Sequence, residues 1–227
     1  QLKQPVQHYI FTSTNAGNRE GVYRYDGIKL AYLAFPKPEK VNPDNLYAVT
    51  GFSKGKNGML WIATYAGIFG YNGSQFNISL NDETLGLKKE TGGLHVRSIL
   101  EDSKGRLWIG NNGIGVLLKE NNTILNFSEK HKLIHPTSSR RGDKSQPGTL
   151  EHVFAMEEDG DGNIWFGDRD TGLWKYDGKT MTNYTQKEGL SHDFVHTIYK
   201  DNKNELWVGL ADGNIFKFNG KAFDKQF

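Results

Sequence analysis

The sequence predicts an all-β fold, a β-propeller of about five four-stranded blades whose first blade is incomplete at its N-terminal strand. Three observations predict it: a recurring tryptophan phrase, a recurring aromatic–Asp/Asn–Gly phrase, and a composition rich in glycine and aromatic residues. The 227 residues include 27 glycines and only 6 prolines, and 12% of the side chains are aromatic. Such a composition is typical of many short strands joined by tight turns.

The tryptophan phrase marks four units. It reads MLWIATYAG, RLWIGNNG, NIWFGDRDTG and ELWVGLADG, and its tryptophans are 47, 57 and 42 residues apart. A unit of about 42 residues with variable insertions has the period of a four-stranded propeller blade. Upstream of three tryptophans lies a V-x-x-I-x-x-D phrase, at 96–105, 153–162 and 195–204, and 46–58 is a looser version.

Each unit predicts four strands, A to D. Strand A is V-x-x-I-x-x-D, strand B is LWIG, strand C is the aromatic phrase, and strand D alternates polar and apolar residues, as in KTMTNYT. The Asp and Gly of the A-to-B link suit a tight turn, in which the Asp accepts backbone N–H bonds. Strand C ends in GVYRYDG, GIFGYNG, GLWKYDG or GNIFKFNG. Its Asp-Gly or Asn-Gly pair predicts a two-residue type I′ hairpin.

These phrases divide one domain, residues 1–227, into five repeats. The approximate bounds are 8–44, 45–94, 95–151, 152–193 and 194–227. In the first repeat HYIFTST (8–14) stands where LWIG is expected, so a strand A for this unit would have to precede Gln1.

Composition excludes several classes of function. The net charge of +2 gives no reason to expect a nucleic-acid partner. No apolar run approaches the length of a transmembrane segment, and the absence of cysteine excludes disulfides and thiol chemistry. A start at Gln1 suits a processed secretory protein and a trimmed fragment equally well.

The phrases VRSILEDSKGRLWIG, EEDGDGNIWFGDRDTGLWKYDG and EGLSHDFVHTIYKDNKNELWVG resemble two-component-regulator propeller repeats. The resemblance covers residues 8 to 220 or so. It implies a β-propeller, export to the periplasm or the cell exterior, and a ligand-sensing role like that of periplasmic sensor domains in hybrid two-component systems of Bacteroidetes, which sense glycan fragments. The chain differs from those sensors in having about five repeats, no kinase part and no membrane segment.

Insertions between strand D and the next strand A are the first candidates for a ligand-binding site. The repeats build the common scaffold, and insertions are the parts in which one repeat protein differs from another. Three such loops are long, at 35–45, 78–94 and 128–150. The last carries Arg140 and Arg141, which suit a lid that contacts an anion or a sugar. The alternative is a solvated insertion without a function.

Positions at the start of strand A are the second candidates. When the four complete repeats are aligned, one position holds a small side chain in each of them (this column contains Ala48, Ser98, Ala155 and Thr197). At two neighbouring positions the residue type differs from repeat to repeat, although the needs of the scaffold alone should make such positions uniform. The first position holds Tyr47, Arg97, Phe154 and His196, and the second holds Asn45, His95, His152 and Phe194. We predict that six residues form the floor of a pocket for an oligosaccharide or small anion, namely Tyr47, His95, Arg97, His152, Phe154 and His196. The alternative is the mixed polar rim of a water-filled channel.

Metal binding and catalysis have weaker support in the sequence. The stretch DGDGN (159–163) resembles a calcium loop, but Asp170 stands where a bidentate Glu is expected, so we predict no metal and no cofactor. No catalytic triad or isolated carboxylate pair stands out, and we predict a non-enzymatic protein. Two alternatives stay open: a protein-interaction scaffold, and a small propeller lyase or hydrolase that uses His95, His152 or His196 as a base.

Overall fold

A computed structural model of the chain describes residues 10–13, 21–36, 47–87, 93–138 and 143–227. Within these residues, 19 strands form five antiparallel sheets that follow each other along the chain. The predicted all-β propeller is confirmed. None of the helices in the described ranges is long or apolar enough to cross a bilayer.

Blade 1 consists of β1 (Ile10–Ser13), β2 (Gly21–Tyr25) and β3 (Leu30–Ala34). Blade 2 consists of β4 (Val49–Lys54), β5 (Leu60–Thr64), β6 (Gly67–Tyr71) and β7 (Phe76–Leu80). Blade 3 consists of β8 (Val96–Glu101), β9 (Leu107–Asn111), β10 (Val116–Glu120) and β11 (Thr123–Asn126). Blade 4 consists of β12 (Val153–Glu158), β13 (Ile164–Asp168), β14 (Leu173–Tyr176) and β15 (Met181–Tyr184). Blade 5 consists of β16 (Val195–Lys200), β17 (Leu206–Leu210), β18 (Ile215–Phe218) and β19 (Phe223–Lys225).

The turn from strand A to strand B is built around one aspartate. In blade 3, Asp102 Oδ1 accepts hydrogen bonds from the backbone N–H groups of Lys104 and Arg106, both at 2.9 Å. Its Oδ2 accepts from the Trp108 indole at 2.8 Å. The same pattern recurs in blades 4 and 5. The D-x-x-G-x-[IL]-W phrase is therefore a structural unit that joins the turn to the buried tryptophan.

The turn from strand C to strand D differs from the prediction in blades 1, 2, 4 and 5. In blade 4, Tyr176 pairs with Met181, so the loop has four residues instead of the two of a type I′ hairpin. Asp177 Oδ1 accepts from the backbone N–H groups of Lys179 and Thr180, and Gly178 supplies the positive φ of 94°. The Tyr176 hydroxyl donates to the Gly178 carbonyl at 2.9 Å. The aromatic–Asp/Asn–Gly phrase thus closes its own loop.

Successive inner strands contact each other, β4 with β8, β8 with β12, and β12 with β16. Small residues on these strands face small residues of strand B, and a Cβ added at Gly167 would lie 2.6 Å from Val195 Cγ1 of the next blade. Three core clusters of buried hydrophobic residues lie mainly between blades 2 and 3, blades 3 and 4, and blades 4 and 5. Large side chains fill them, including Trp108 and Trp165, which are fully buried. The inner strands of neighbouring blades therefore pack closely against one another.

The register of blade 2 corrects the sequence alignment. Gly51 pairs with Ala63 as Ser98 pairs with Gly110, so Gly51, and not Ala48, belongs to the small column. The residue equivalent to Arg97 is Thr50. Tyr47 is 3% exposed and packs in the core between blades 1 and 2, where its ring lies 5.9 Å from that of Phe69. Its predicted place on the pocket floor rested on a wrong alignment.

The 128–150 insertion is folded against the blades where it is described. A short helix, α1 (Phe127–Lys130), leads into it, and the Leu150 N–H donates to the Leu133 carbonyl at 2.8 Å. Phe127, Leu133 and Leu150 are all buried in the core cluster of blades 3 and 4. Arg140 and Arg141 lie outside the described residues. The loop predicted from Ile78 begins only after Leu80, because β7 continues to that residue.

Candidate ligand site at the channel mouth

A β-bulge near the start of each inner strand gives the channel mouth its variable side chains. In blades 2 to 5 the pairing of strand A with strand B skips one residue directly after the first valine. The residue in the bulge is opposed by no residue of its own on strand B, so the ladder does not dictate its side chain. The four bulge residues are Thr50, Arg97, Phe154 and His196.

Three of the bulge residues, Arg97, Phe154 and His196, meet side chains from the loops at the same end of the blades. Arg97 Cζ lies 4.8 Å from the ring centroids of both Tyr65 and Phe154. Tyr65 meets His95 edge to face at 4.7 Å, and on the other side Phe154 meets Phe194 at 5.3 Å. Phe194 stacks on His196 at 4.7 Å. We call these six residues the mouth arc: His95, Tyr65, Arg97, Phe154, Phe194 and His196.

Arg97 is the charged centre of the mouth arc. Its Nη1 donates to the Tyr65 hydroxyl at 3.2 Å, and its Nε is buried without a hydrogen-bond partner among the described residues. No carboxylate in the described ranges forms an ion pair with it. Two aromatic faces hold the guanidinium and remove part of its hydration, at a gain of about 0.5–2 kcal/mol. A cation held in place in this way can bind an anionic group.

One amide joins the two histidines of blades 3 and 4. Asn112 Oδ1 lies 2.8 Å from Nδ1 of His152, and Asn112 Nδ2 lies 3.4 Å from Nδ1 of His95. This pattern assigns the proton of a neutral His152 to Nδ1 and leaves Nδ1 of a neutral His95 as an acceptor. Burial lowers the pKa of both histidines, which favours these neutral forms.

Asp168, at the end of β13, and Asp170, in the loop after it, lie next to His152. Asp168 is fully buried and its carboxylate accepts four backbone N–H bonds of 2.7–3.1 Å, from Glu151, His152, Asp170 and Thr171. Burial nevertheless raises the pKa of Asp168 to about 7. The Asp170 carboxylate pairs with Arg169 at 2.7 Å and lies 3.9 Å from His152 Nε2. Asn112 thus contacts the ring of His152, Asp168 binds its backbone N–H, and the residue is only 1% exposed.

The structure brings together five of the eight residues predicted for the site. His95, Arg97, Phe154 and His196 lie in the mouth arc, and His152 lies buried behind it. Tyr47 lies in the core, and the pair at 140–141 is outside the described residues. The prediction omitted Tyr65, Asn112 and Phe194. Tyr65 and Asn112 stand at the same position after strand B, where each N–H donates to the residue before the inner strand, so aligning these loops would have found them.

Metal ligation has no support in the described ranges. No group of three or more His, Asp and Glu side chains lies close enough there to hold an ion. Asp159 of the DGDGN stretch accepts from the N–H of Asp161 and from Asn163 and Trp165. Its carboxylate serves the A-to-B turn like Asp102.

Comparison with known proteins supports the repeat assignment. Residues 92–113, 148–174 and 189–212 match the family model described as "Two component regulator propeller". No curated protein matches the chain.

Several solved structures share the fold. The extracellular domain of the hybrid two-component system BT3049 from B. thetaiotaomicron has a TM-score of 0.66 and 17% identity, over 99% of this chain and 29% of that one. The corresponding domain of BT4673 from the same organism has a TM-score of 0.59 and 20% identity, over 87% and 24%. A catalytically inactive virginiamycin B lyase from Staphylococcus aureus, with quinupristin, has a TM-score of 0.63 and 16% identity, over 91% and 62%.

At these identities the likeness shows the fold alone, and the chain spans less than a third of the two extracellular domains. The matched segments span strands A and B of blades 3, 4 and 5, and they include His95, Arg97 and His152. The family resemblance read from the repeats is confirmed: the chain folds as a β-propeller, and three of its segments match the two-component-regulator propeller model.

Proposed function

We propose that the chain is an exported, non-enzymatic, sensor-type domain that binds an oligosaccharide or small anionic ligand at the mouth arc. The observation that carries this proposal is Arg97, a cation held between two aromatic rings that has no carboxylate partner among the described residues. An anionic group of a ligand would supply the counter-charge that this guanidinium lacks, and hydrogen bonds to charged groups contribute about 1.5–3 kcal/mol.

The neighbours of Arg97 suit a sugar that carries an acidic group. The aromatic faces of the arc provide apolar contact for the C–H side of a pyranose ring. His95 and His196 add polar ring edges that exchange hydrogen bonds with hydroxyl groups. A ligand with one anionic group and several hydroxyls therefore fits better than a purely apolar one.

The buried histidine argues against an enzyme. A lyase or hydrolase would need a base that reaches the substrate, yet His152 is 1% exposed and the Asp170 carboxylate beside it is already paired with Arg169. His196 is exposed but stacks on Phe194, without a carboxylate partner among the described residues. The likeness to virginiamycin B lyase extends to the fold only.

Export and a sensory role rest on the resemblance of the repeats and on the two sensor neighbours, which are extracellular domains of two-component systems. We place the domain in the periplasm or outside the cell, secreted or attached to the envelope. Fractionation of cells that express the full-length protein tests this placement, and recovery in the cytosol would contradict it.

The ligand proposal is tested by calorimetric titration with acidic and neutral glycan fragments and with small carboxylates. We expect an acidic fragment to bind, Arg97→Ala to weaken binding at least about tenfold, and Arg97→Lys to keep part of it. Lys104→Ala is the control, since Lys104 is exposed in the A-to-B turn at the opposite end of blade 3. Equal affinity of wild type and Arg97→Ala would overturn the proposal.

One observation favours a second function, a protein-interaction scaffold. The β2–β3 hairpin exposes four apolar side chains, Tyr25, Ile28, Leu30 and Tyr32, and Ile28 is 92% exposed. A row of exposed apolar residues marks an interaction surface. Light scattering after size exclusion tests it: a dimer that Leu30→Asp dissociates would support self-association, and a monomer at high concentration would contradict it.

A further inference from the structure

The side of blade 5 that points away from blade 4 is more exposed than the same side of blade 3, which packs against the next blade. In blade 3, Leu100 pairs with Trp108, and both side chains are buried. Tyr199 and Trp207 form the same pair in blade 5, but Tyr199 is 60% exposed and Trp207 is half-buried. We call this side of blade 5 the trailing face; it consists of Thr197, Tyr199, Trp207 and Ile215.

The glycines of strand B show what covers this side in the other blades. A Cβ added at Gly110 would meet Val153 of blade 4, and a Cβ added at Gly167 would meet Val195 of blade 5. A Cβ added at Gly209 would meet only Thr197 of its own blade within 4 Å, among the described residues. Within the described chain, the trailing face therefore lacks the neighbouring inner strand that covers its counterparts.

Blade 1 exposes the opposite side, the one that points away from blade 2. Tyr25 and Leu30 pair across β2 and β3, and they are 38% and 59% exposed. Phe218 and Phe223 form the equivalent pair in blade 5, and their rings lie 4.9 and 6.2 Å from that of Trp165 in blade 4. We call this side of blade 1 the leading face; it consists of Tyr23, Tyr25, Leu30 and Tyr32.

The two exposed faces carry the two halves of the contact that joins neighbouring blades. Between blades 3 and 4, Trp108 meets Tyr176 with 6.2 Å between their ring centroids. Trp207 holds the position of this tryptophan in blade 5, and Tyr25 holds the position of this tyrosine in blade 1. Because both faces of one chain are exposed, they do not cover each other within it.

We propose that the trailing face of one copy of this chain binds the leading face of a second copy, so that copies associate head to tail. This inference rests on the second function above, the interaction scaffold, and names the surface that the β2–β3 hairpin binds. The contact buries Tyr199 and Trp207 of one copy against Tyr25 and Leu30 of the other. It is heterologous, so a pair of copies keeps one free face of each kind.

Two variants and their mixture test the direction of the contact. Leu30→Asp places a charge on the leading face and Tyr199→Asp places one on the trailing face, at positions exposed enough for both variants to fold. We expect the wild type to associate as its concentration rises in light scattering after size exclusion. Each variant should weaken association at least about tenfold, because the contact would bury an unpaired charge. An equimolar mixture should form a 1:1 dimer and nothing larger, since each variant keeps the face that the other has lost.

The control is Lys179→Asp, in the exposed C-to-D turn of blade 4, which should associate like the wild type. A wild type that stays monomeric at high concentration would overturn this inference and the scaffold function together. Association that Leu30→Asp abolishes and Tyr199→Asp leaves intact would overturn the head-to-tail contact alone, because the hairpin would then bind another surface. Association that Leu30→Asp leaves intact, or a mixture that forms no dimer, would also overturn it.

Discussion

The indole of Trp61 in blade 2 donates its hydrogen bond to Glu101 of blade 3, with 2.6 Å between Nε1 and Oε2. In blades 3 to 5 the tryptophan donates instead to the aspartate of its own turn. Gly55 stands in that position in blade 2, as its N–H bond to the Met59 carbonyl shows. Glu101 also accepts from the Lys56 N–H at 3.2 Å. The next blade therefore supplies the carboxylate that blade 2 lacks.

Glu101→Ala should lower the free energy of unfolding by about 2 kcal/mol. The substitution leaves the Trp61 indole, which is mostly buried, without an acceptor, and hydrogen bonds to charged groups contribute about 1.5–3 kcal/mol. Denaturant unfolding followed by tryptophan fluorescence measures the loss. Glu120→Ala, at an exposed strand end, is the control and should change stability little. Equal stability of both variants would contradict the assigned role of Glu101.

Gly55→Asp should rescue the Glu101→Ala variant while destabilising the wild type. An aspartate there would stand where Asp102 and Asp159 stand in their blades, within reach of the indole. In the wild type, however, a Cβ at Gly55 would collide with the Glu101 carboxylate, and Glu101→Ala removes that collision. The Cβ would also lie 2.6 Å from Trp61 Nε1 in both backgrounds, so the indole has to shift for the rescue. A double-mutant cycle of unfolding free energies measures the coupling, and additive effects would show that the two carboxylates do not replace each other.

His152 should destabilise the folded state as the pH drops through the histidine range. Its folded-state pKa lies below the ordinary value of about 6.5, so between those two values the unfolded chain binds more protons and low pH favours unfolding. Unfolding free energies of wild type and His152→Gln should be compared at about pH 7.5 and about pH 5.5. The variant should lose less stability on acidification.

This comparison cancels an opposing contribution. Asp168, with a pKa raised to about 7, favours the folded state as the pH falls, and it is present in both proteins. An identical pH slope in the two proteins would show that His152 does not titrate differently in the folded and unfolded states.

Phe127→Ala should destabilise the protein by about 3–5 kcal/mol, the usual cost of removing a buried phenylalanine. Phe127 is 2% exposed and meets Trp108 and Phe166 at ring distances of 5.1 and 5.8 Å. Thermal and denaturant unfolding measure the effect. Phe227→Ala is the control, because that ring is 76% exposed, and it should cost little. A small effect of Phe127→Ala would mean that the start of the insertion is not part of the core.

The sequence allowed the blades to be predicted because the features that build them recur. The aspartate–tryptophan hydrogen bond, the turn glycines and the buried valine of strand A repeat at a constant spacing, so each copy supports the others. Blade 2 was misaligned where this support is missing: Gly55 replaces the turn aspartate, and the small residue of the column is itself a glycine, Gly51. The aromatic phrase likewise suggested a two-residue turn because its Asp-Gly pair fits both turn lengths.

The site could be predicted only in part, because its contacts join residues that are far apart in the sequence. Arg97 depends on Tyr65 and Phe154 from two other blades, and the two histidines depend on Asn112. No local pattern indicates that a tyrosine after strand B will meet an arginine 32 residues later. The docking of the insertion through Leu133 and Leu150 was not predicted either, because its length and the pair Arg140 and Arg141 suggested a lid.

The bulge in the inner strands has a consequence for how such a domain acquires new ligands. Each of blades 2 to 5 offers one side chain toward the mouth that neither the ladder nor the small column restrains, at Thr50, Arg97, Phe154 and His196. Exchanging these four residues changes the charge and shape of the mouth while the hydrogen bonds that hold the blades stay intact. A library confined to these four codons would sample binding specificities on an unaltered scaffold.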